Sequence, residues 1–429
     1  MFGFANFLLL ALFAAAVFDL IFALARGGGL RGALHGLWNT PHLLFGQQLA
    51  EWRLQLGRIL FAAGLAAYEI SVVFCNSMAR QNWAWVQGVM SPVLEWLAFL
   101  CFGAKILFGT RYTWRELLAG GALYFIARWV YFNSQNIWWI GIVVAVLAAK
   151  DVPLRRPLQV YFASGCAAMA VVLALHFAGI VAPDLTSERM GALRGTYGYG
   201  HPNTFGGLVF GLVLAYALLR AQKVRWVDCL LVFAVGVFLL VGPASRSAAL
   251  CTLALAVGLV FCRLRAGHSV PRWWPGTCAG MVGLTAAVSY LLPLLVIKVG
   301  PWNNDIGPAW LAKLDSLLTC RISLTWMAYR LLDVKIAGQV FNWPTVDNSF
   351  AFALFQFGPV VAVLLGILFA AALWGHAKQG RRVEVCCLFA MLAYAYMEVQ
   401  PFHLTTNPTA LLLCGAVFAQ ASARWQKIE

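Results

Sequence analysis

The feature that most constrains this chain is a series of long apolar runs separated by short polar connections. Hydrophobic residues make up 62% of its 429 residues, and charged residues make up only 11%. In a soluble domain, roughly 45–50% of the residues are apolar and about 25% are charged. A soluble core cannot bury such an excess, so lipid must solvate much of it. Because roughly 20 apolar residues in a helix cross a bilayer core, the runs predict an all-α, polytopic membrane bundle forming one domain over residues 1–429.

The apolar runs predict about thirteen membrane helices, within a range of 12–14. The first run has no basic segment before it and is longer than the apolar part of a signal peptide, so we expect it to be a helix of the bundle. The thirteen predicted segments are 2–24, 58–78, 90–110, 116–132, 136–150, 157–181, 202–220, 226–243, 247–262, 278–298, 347–374, 383–399 and 408–423.

Lysine and arginine concentrate in every second connection, and the alternate connections hold few of them. Basic connections stay on the cytoplasmic side of a membrane, which predicts an outside N-terminus and an inside C-terminus. The same rule accounts for the net charge of +15. Because the basic residues are dispersed between apolar runs rather than gathered in one patch, we expect no nucleic-acid partner.

The longest connection on the predicted non-cytoplasmic side covers residues 299–346. Long connections of this kind are usually functional or disordered. Apolar residues recur at helical spacing over 309–318 and 322–336, which predicts short helices lying on or dipping into the membrane interface.

The eleven cysteines include no CxxC pair and lie mostly inside apolar runs, which indicates neither a metal site nor a disulfide framework. The predicted non-cytoplasmic face also lacks a DxD-like pair of carboxylates. We therefore expect no metal and no cofactor.

Two polar motifs stand at helix starts on this predicted face. Arg194 precedes the helix start His201-Pro202-Asn203, and Ser245-Arg246 lies between two apolar runs with almost no loop. Proline and asparagine at a helix start, and an arginine reaching out of the membrane, have ordinary structural explanations. An arginine held at that boundary also suits a polar cavity, and its flanking serines would donate hydrogen bonds to phosphate.

Two further motifs lie in and after the long loop. Arg321 follows Asp315 in a segment that is otherwise a plain amphipathic helix, and Asp347-Asn348 opens the next apolar run. Asp and Asn are favoured helix caps, so capping is one interpretation. The other is a carboxylate at the membrane surface that acts as a general base.

Together the motifs place three arginines and a carboxylate on one face. Arginine binds phosphate oxygens in bidentate fashion and stays charged in a poorly hydrated site. A polyprenyl diphosphate keeps its tail in the bilayer and its diphosphate at the surface, so it fits such a face. The arginines would neutralise the leaving group as a divalent cation does elsewhere.

These residues, in this order, give the chain a resemblance to the O-antigen ligase and Wzy-type polysaccharide polymerase superfamily. The resemblance covers roughly residues 190–410, and it implies a GT-C-like membrane glycosyltransferase of the bacterial cytoplasmic (inner) membrane. The matching motifs are His201-Pro202-Asn203 after Arg194, Ser245-Arg246, Leu314–Ile322 with Arg321, Val346–Phe350 with Asp347, Phe357-Gly358, Glu398 and Asn407-Pro408.

The resemblance implies an undecaprenyl-diphosphate-linked oligosaccharide as donor, metal-independent transfer on the extracytoplasmic face, and a flippase or chain-length regulator as partner proteins. Arg194, Arg246 and Arg321 would bind the diphosphate, and Asp347 would deprotonate the attacking hydroxyl or orient the acceptor. The residues that it assigns to substrate binding are His201, Asn203, Ser245, Asn348 and Glu398.

Two positions depart from the family pattern. Ligases typically have His where Asp347 stands, which favours a polymerase, and Cys320 stands where Gly is common before the loop arginine. A ligase that moves the finished glycan to another acceptor is the nearest alternative, and a scaffold without catalysis ranks last. A transporter or flippase is the alternative from another class, based on charges inside apolar runs at Asp19, Glu69, Glu95, Arg128 and Asp228. A buried Glu69–Arg128 pair is the structural explanation for two of them.

Overall fold

The computed structural model describes residues 2–25, 29–45, 50–181, 187–189, 192–296 and 307–418. This part of the chain is helical apart from two short antiparallel pairs of strands. β1 (His42–Leu43) pairs with β2 (Arg111–Tyr112), and β3 (Ser187–Arg189) pairs with β4 (Ala192–Arg194). The predicted all-α class is confirmed.

The described residues of the N-terminal part form eight α-helices, and a single π-helical turn at Val86–Met90 precedes the fifth. Their bounds are α1 Phe2–Ala25, α2 Gly29–Asn39, α3 Ala50–Cys75, α4 Ala79–Asn82, α5 Ser91–Phe108, α6 Trp114–Ser134, α7 Ile137–Ala148 and α8 Arg155–Phe177.

Between residue 192 and residue 418, the part that the structure describes forms ten α-helices, with 3₁₀ turns at Leu292–Leu295, Gln400–Phe402 and Pro408–Leu413 and a π-helical turn at Ala353–Phe357. Their bounds are α9 Pro202–Leu219, α10 Trp226–Val241, α11 Arg246–Leu264, α12 Trp274–Leu291, α13 Ala309–Leu317, α14 Arg321–Leu331, α15 Ser349–Phe352, α16 Pro359–Lys378, α17 Arg382–Met397 and α18 Cys414–Val417.

Among the described residues, eight helical segments are long and apolar enough to cross a membrane. They are Gly3–Ala25, Glu51–Cys75, Val86–Phe108, Arg155–Phe177, Pro202–Leu219, Arg246–Leu264, Trp274–Leu295 and Pro359–Lys378. Shorter apolar helices cover Ile137–Ala148, Trp226–Val241 and Pro408–Val417. The polytopic membrane architecture is confirmed. The count of thirteen spans and the orientation stay predictions.

The helix predicted at 347–374 is broken at Gly358, where α15 and its π-helical turn end and α16 begins. Gly358 has φ +87°, and a Cβ there would collide with the carbonyl of Ile336. Proline at position 359 then starts the new helix. Apolar periodicity could not reveal the break, because both helices keep their hydrophobic residues.

Two further differences lie towards the ends of the chain. Helix α2 (Gly29–Asn39) is absent from the prediction, because its composition resembles that of a polar connection. The segment predicted at 408–423 begins as a 3₁₀ turn and becomes α-helical only at Cys414–Val417. Residues 419–423 lie outside the described part of the chain.

The predicted helices of the long loop are confirmed as α13 and α14, and the part of that loop before residue 307 lies outside the described residues. Leu311 of α13 and Ile322 of α14 are buried together with Val296, just after α12. This cluster fixes the loop helices against the end of a membrane helix.

Close packing at the start of α9 depends on two adjacent glycines. A Cβ at Gly206 would overlap Ser245, and one at Gly207 would overlap the side-chain amide of Gln400. Small residues at these positions let the residues before α11 and after α17 approach the first turn of α9.

Candidate functional site

A buried carboxylate lies at the centre of the polar cluster. Glu398 is the first residue after α17 and is 5% exposed. Its Oε1 accepts hydrogen bonds from Arg321 Nη2 at 2.5 Å, Ser247 Oγ at 2.8 Å and Asn203 Nδ2 at 3.1 Å. Glu398 therefore joins the first turns of α9, α11 and α14 at the end of α17.

Arg321 is surrounded by acceptors and is 7% exposed. Besides Glu398, its guanidinium donates to the backbone oxygen of Met397, to the backbone oxygen of Leu318 at 2.9 Å and to the hydroxyl of Thr319. Its Nη2 also lies 3.9 Å from Asp347 Oδ2. A guanidinium held on all sides is a rigid positive charge, and Asp347 is the carboxylate placed beside it.

The turn before Arg321 has an unusual backbone. Thr319 and Cys320 both adopt left-handed conformations, with φ of 59° and 64°. Asp315, which is fully buried, accepts hydrogen bonds from Ile322 N at 2.8 Å and Ser323 N at 3.2 Å. Asp315 thereby supplies the cap that a left-handed residue at position 320 does not provide, and the turn directs Arg321 into the site.

Cys320→Gly is expected to stabilise the protein by about 0.5–1 kcal/mol, because glycine relieves the left-handed strain and loses only part of that gain through unfolded-state entropy. The free energy of unfolding in detergent would measure it. Cys320→Ala, which keeps a Cβ at the same φ, is the control and should give no gain. Equal stabilisation by alanine would point to the thiol rather than the backbone.

Arg194 reaches the same cluster from the end of β4 and is 7% exposed. Its Nη2 donates to Asn203 Oδ1 at 2.9 Å and to the backbone oxygen of Ala244 at 3.1 Å. Ser245 Oγ lies 3.5 Å from the same Asn203 oxygen. Asn203 therefore connects Arg194 with Glu398: its amide oxygen accepts from Arg194, and its amide nitrogen donates to Glu398.

His201 and Asn348 act as helix caps. The His201 side chain accepts from Asn203 N at 3.1 Å, at the start of α9. Asn348 Oδ1 accepts from the first backbone N–H groups of α15, and its Nδ2 donates to Ser289 Oγ and the Tyr396 carbonyl, each at 3.1 Å. The capping interpretation of Asn348 is confirmed, and it positions the neighbouring Asp347.

Arg246 differs from the other two arginines. It is the first residue of α11 and is exposed, and its guanidinium makes no hydrogen bond or ion pair with the described residues. Its neighbours Ser245 and Ser247 are buried and face the Glu398 cluster. Arg246 thus lies at the edge of the cluster with its donors available.

Asp347 has the accessibility that a reactive carboxylate needs. Its side chain is 29% exposed, and its contact with Arg321 at 3.9 Å is an ion pair rather than a hydrogen bond. Within the described chain, its oxygens accept no hydrogen bond. Asp347 therefore presents an accessible carboxylate beside the fixed positive charge of Arg321.

Two polar residues of the cluster were not among the candidates from sequence. Ser349 Oγ donates to the backbone oxygen of Glu398 at 2.6 Å, and Gln400 Nε2 donates to the backbone oxygen of Asn203 at 3.2 Å. Tyr394 in turn donates to Gln400 Oε1 at 2.7 Å. The sequence did contain one signal for Gln400, because it is a polar residue two positions after Glu398 in an otherwise apolar stretch.

An apolar cavity of about 110 Å³ lies next to the cluster, between α6, α7, α12, α16 and α17. Ser349 lines it and also bonds to Glu398, so the cavity adjoins the polar site. The rest of its wall is almost entirely hydrophobic and includes Trp139, Tyr290, Phe350, Gly366, Met391 and Phe402.

The expected Glu69–Arg128 pair is wrong. The Arg128 guanidinium donates to Asn6 Oδ1 at 2.8 Å and lies over the Phe132 ring, 4.6 Å from its centroid. Glu69 is buried beside Gly165, where a Cβ would come within 2.9 Å of its Oε1. The arginine is paired with a residue of α1 instead of with Glu69.

Two further charges of the transporter alternative, Asp19 and Asp228, have ion-pair partners. Asp19 Oδ2 lies 3.5 Å from His42 Nε2, and Asp228 Oδ1 lies 3.1 Å from Arg220 Nε. Asp19 is on α1 and Asp228 opens α10, so these pairs stabilise separate helix ends. They give the transport hypothesis no support.

Comparison of the chain with protein-family models, with curated proteins and with solved structures finds no match. The likeness to the ligase and polymerase superfamily therefore stays a prediction that rests on the motifs.

Proposed function

We propose that this protein is a membrane glycosyltransferase that polymerises undecaprenyl-diphosphate-linked oligosaccharide repeat units into a surface or extracellular polysaccharide. The observation that carries the proposal is the convergence of Arg194, Arg246, Arg321 and Asp347 at one end of the bundle, beside an apolar cavity. In the proposed topology this end faces away from the cytoplasm.

The charge of the cluster suits a diphosphate. Three arginines against the carboxylates of Asp347 and Glu398 leave one net positive charge. Arg246 has open donors and would contact phosphate oxygens directly. Arg194 and Arg321 are held by protein acceptors, so they would act mainly through their fixed positive charge, which needs no reorganisation during the reaction.

The proposed step is a displacement at the anomeric carbon of the donor sugar. The acceptor hydroxyl forms the new glycosidic bond while the bond from that carbon to the diphosphate oxygen breaks. Asp347 takes the hydroxyl proton, and undecaprenyl diphosphate leaves with the bonding electron pair beside the arginines. Asn348 and Arg321 position Asp347 for this role.

The polymerase and ligase hypotheses differ in the molecule that accepts the glycan. Purified protein given only the lipid-linked repeat unit should produce a ladder of longer lipid-linked glycans. Transfer that requires a different acceptor, such as a lipid core, would contradict the polymerase. The absence of any glycosidic product with either acceptor would contradict the transferase itself.

The apolar cavity supplies a second prediction, for the lipid tail of the donor. Gly366 lines the cavity and has open space where a Cβ would lie, so Gly366→Trp should fill it. If the indole displaces two methylenes of the lipid tail from the cavity, the loss of about 0.8 kcal/mol of burial free energy for each corresponds to a rise of about tenfold in the KM for the lipid-linked donor.

Gly283→Trp is the matched control for this substitution. Gly283 also has open space around a Cβ, but it is exposed on α12 and does not line the cavity. The control should leave the KM unchanged. An unchanged KM for Gly366→Trp as well would exclude this cavity as the tail site.

A further inference from the structure

The end of the bundle opposite the candidate site holds a basic pocket of about 630 Å³. Helices α9 and α11 begin at the candidate site and end at this pocket, and α17 runs back between them in the other direction. About 16–19 helical residues separate the two ends, which is roughly 24–28 Å. The pocket is therefore separate from the Glu398 cluster.

Three connections supply the wall of the basic pocket. The α9–α10 connection contributes Lys223 and Arg225, and the α16–α17 connection contributes Arg381. The α11–α12 connection contributes Ala266 and Gly267, and Arg263 lies just before it in the last turn of α11. The side-chain nitrogens of these four basic residues make no hydrogen bond or ion pair with the described part of the chain. The fold thus holds four available cationic groups around one space.

The pocket's remaining charges do not neutralise these four residues. Arg382 also lines the pocket, but its guanidinium donates to the backbone oxygens of Arg265 at 2.6 Å and His268 at 2.5 Å. Glu384 is the acidic residue among the lining residues, and it is buried at 6% exposure. The excess positive charge calls for an anion from outside the chain.

The backbone adds to the attraction for an anion. Val383 and Glu384, in the first turn of α17, line the pocket. The N-terminus of a 16-residue helix carries partial positive charge and unused N–H groups. A phosphate placed there would meet both the arginines and this helix end.

We propose that this pocket binds the phosphate groups of an anionic phospholipid in the leaflet opposite the candidate site. Trp226 and Val227 follow directly after Arg225 and are 53% and 71% exposed. Exposed apolar residues beside the pocket offer a surface for acyl chains, and a tryptophan is typical of the membrane interface. Basic pockets between membrane helices are known to bind such headgroups.

The basic residues also set the orientation of the chain in the membrane, but that role does not require them to gather around one pocket. The positive-inside rule asks only that each connection carry lysine or arginine. It does not require three connections to converge, nor does it require four of their charges to remain without partners. The convergence is the observation that points to a ligand.

The test uses the purified full-length protein in non-ionic detergent, titrated with cardiolipin, phosphatidylcholine or inorganic pyrophosphate and followed by native mass spectrometry. We expect cardiolipin to bind in preference to the other two. Arg263→Gln combined with Arg381→Gln should weaken cardiolipin binding about 25-fold, since each charge contributes about fivefold. Arg272→Gln, in the α11–α12 connection but outside the pocket wall, should change it less than twofold.

Unchanged cardiolipin binding in the double variant would overturn the proposal. Pyrophosphate binding as tightly as cardiolipin would also overturn it, in favour of a soluble anion. If the double variant does not fold, Lys223→Gln with Arg225→Gln removes two charges from another connection and should cause the same loss. Because neither pair touches the Glu398 cluster, glycosyl transfer is not needed as a readout.

Discussion

Asp347→Asn is expected to lower the rate of glycosyl transfer by about 10²–10⁴-fold, the usual contribution of a general base. Asparagine has nearly the same shape and cannot take the proton of the acceptor hydroxyl. Asp347 is partly exposed and makes only one ion pair, at 3.9 Å, so the substitution should leave the fold intact. The measurement is the initial rate of chain elongation with purified protein and lipid-linked repeat units.

Asp333→Asn is the matched control, because Asp333 is exposed just after α14 and its side chain makes no described contact. The elongation rate of this variant should stay within about twofold of the rate of the unmodified protein. Surface substitutions away from buried cores, caps and polar networks have small effects. Asp347→Asn with nearly full activity would remove the carboxylate from the mechanism. Arg246 would then be left as a binding residue in a site whose base lies elsewhere.

Glu398→Gln is expected to destabilise the protein by about 3 kcal/mol, because it removes the buried counter-ion of Arg321 and leaves only the partly exposed Asp347, 3.9 Å away, beside that buried charge. Three side chains donate to the same Glu398 oxygen, so the loss should also loosen the starts of α9 and α11. The free energy of unfolding in detergent would show the effect. Loss of transfer activity should accompany it, since Arg321 also positions Asp347.

A double-mutant cycle tests whether the pair is the cause. The double variant Glu398→Gln with Arg321→Met should lose much less free energy of unfolding than the sum of the losses in the two single variants. In the double variant no unpaired buried charge remains. The exposed pair of Glu51 and Arg111, 3.2 Å apart, is the control, and Glu51→Gln should cost at most about 1 kcal/mol. Additive effects of Glu398→Gln and Arg321→Met would contradict the coupling.

Local features of the site could be predicted from the sequence because they depend on a few neighbouring residues. Proline after His201 marks the start of α9, and Asn348 caps α15. Each of these is settled within one turn of the chain.

The roles of the arginines could not be distinguished in the same way. Arg194, Arg246 and Arg321 all stand beside apolar runs in the sequence, yet two of them are buried among acceptors and one is exposed. The difference arises from partners far away in the chain. Glu398 is 77 residues from Arg321 and 195 residues from Asn203.

The membrane bundle follows from hydropathy alone, because solvation by lipid depends on the composition of about 20 consecutive residues. The sequence also marked the polar motifs that stand at helix ends. Three features came to light in the folded chain: Glu398 is the centre of the cluster, α16 begins anew after Gly358, and three connections line one basic pocket. These features depend on how helices pack, and a hydropathy pattern contains no information about which helix ends meet.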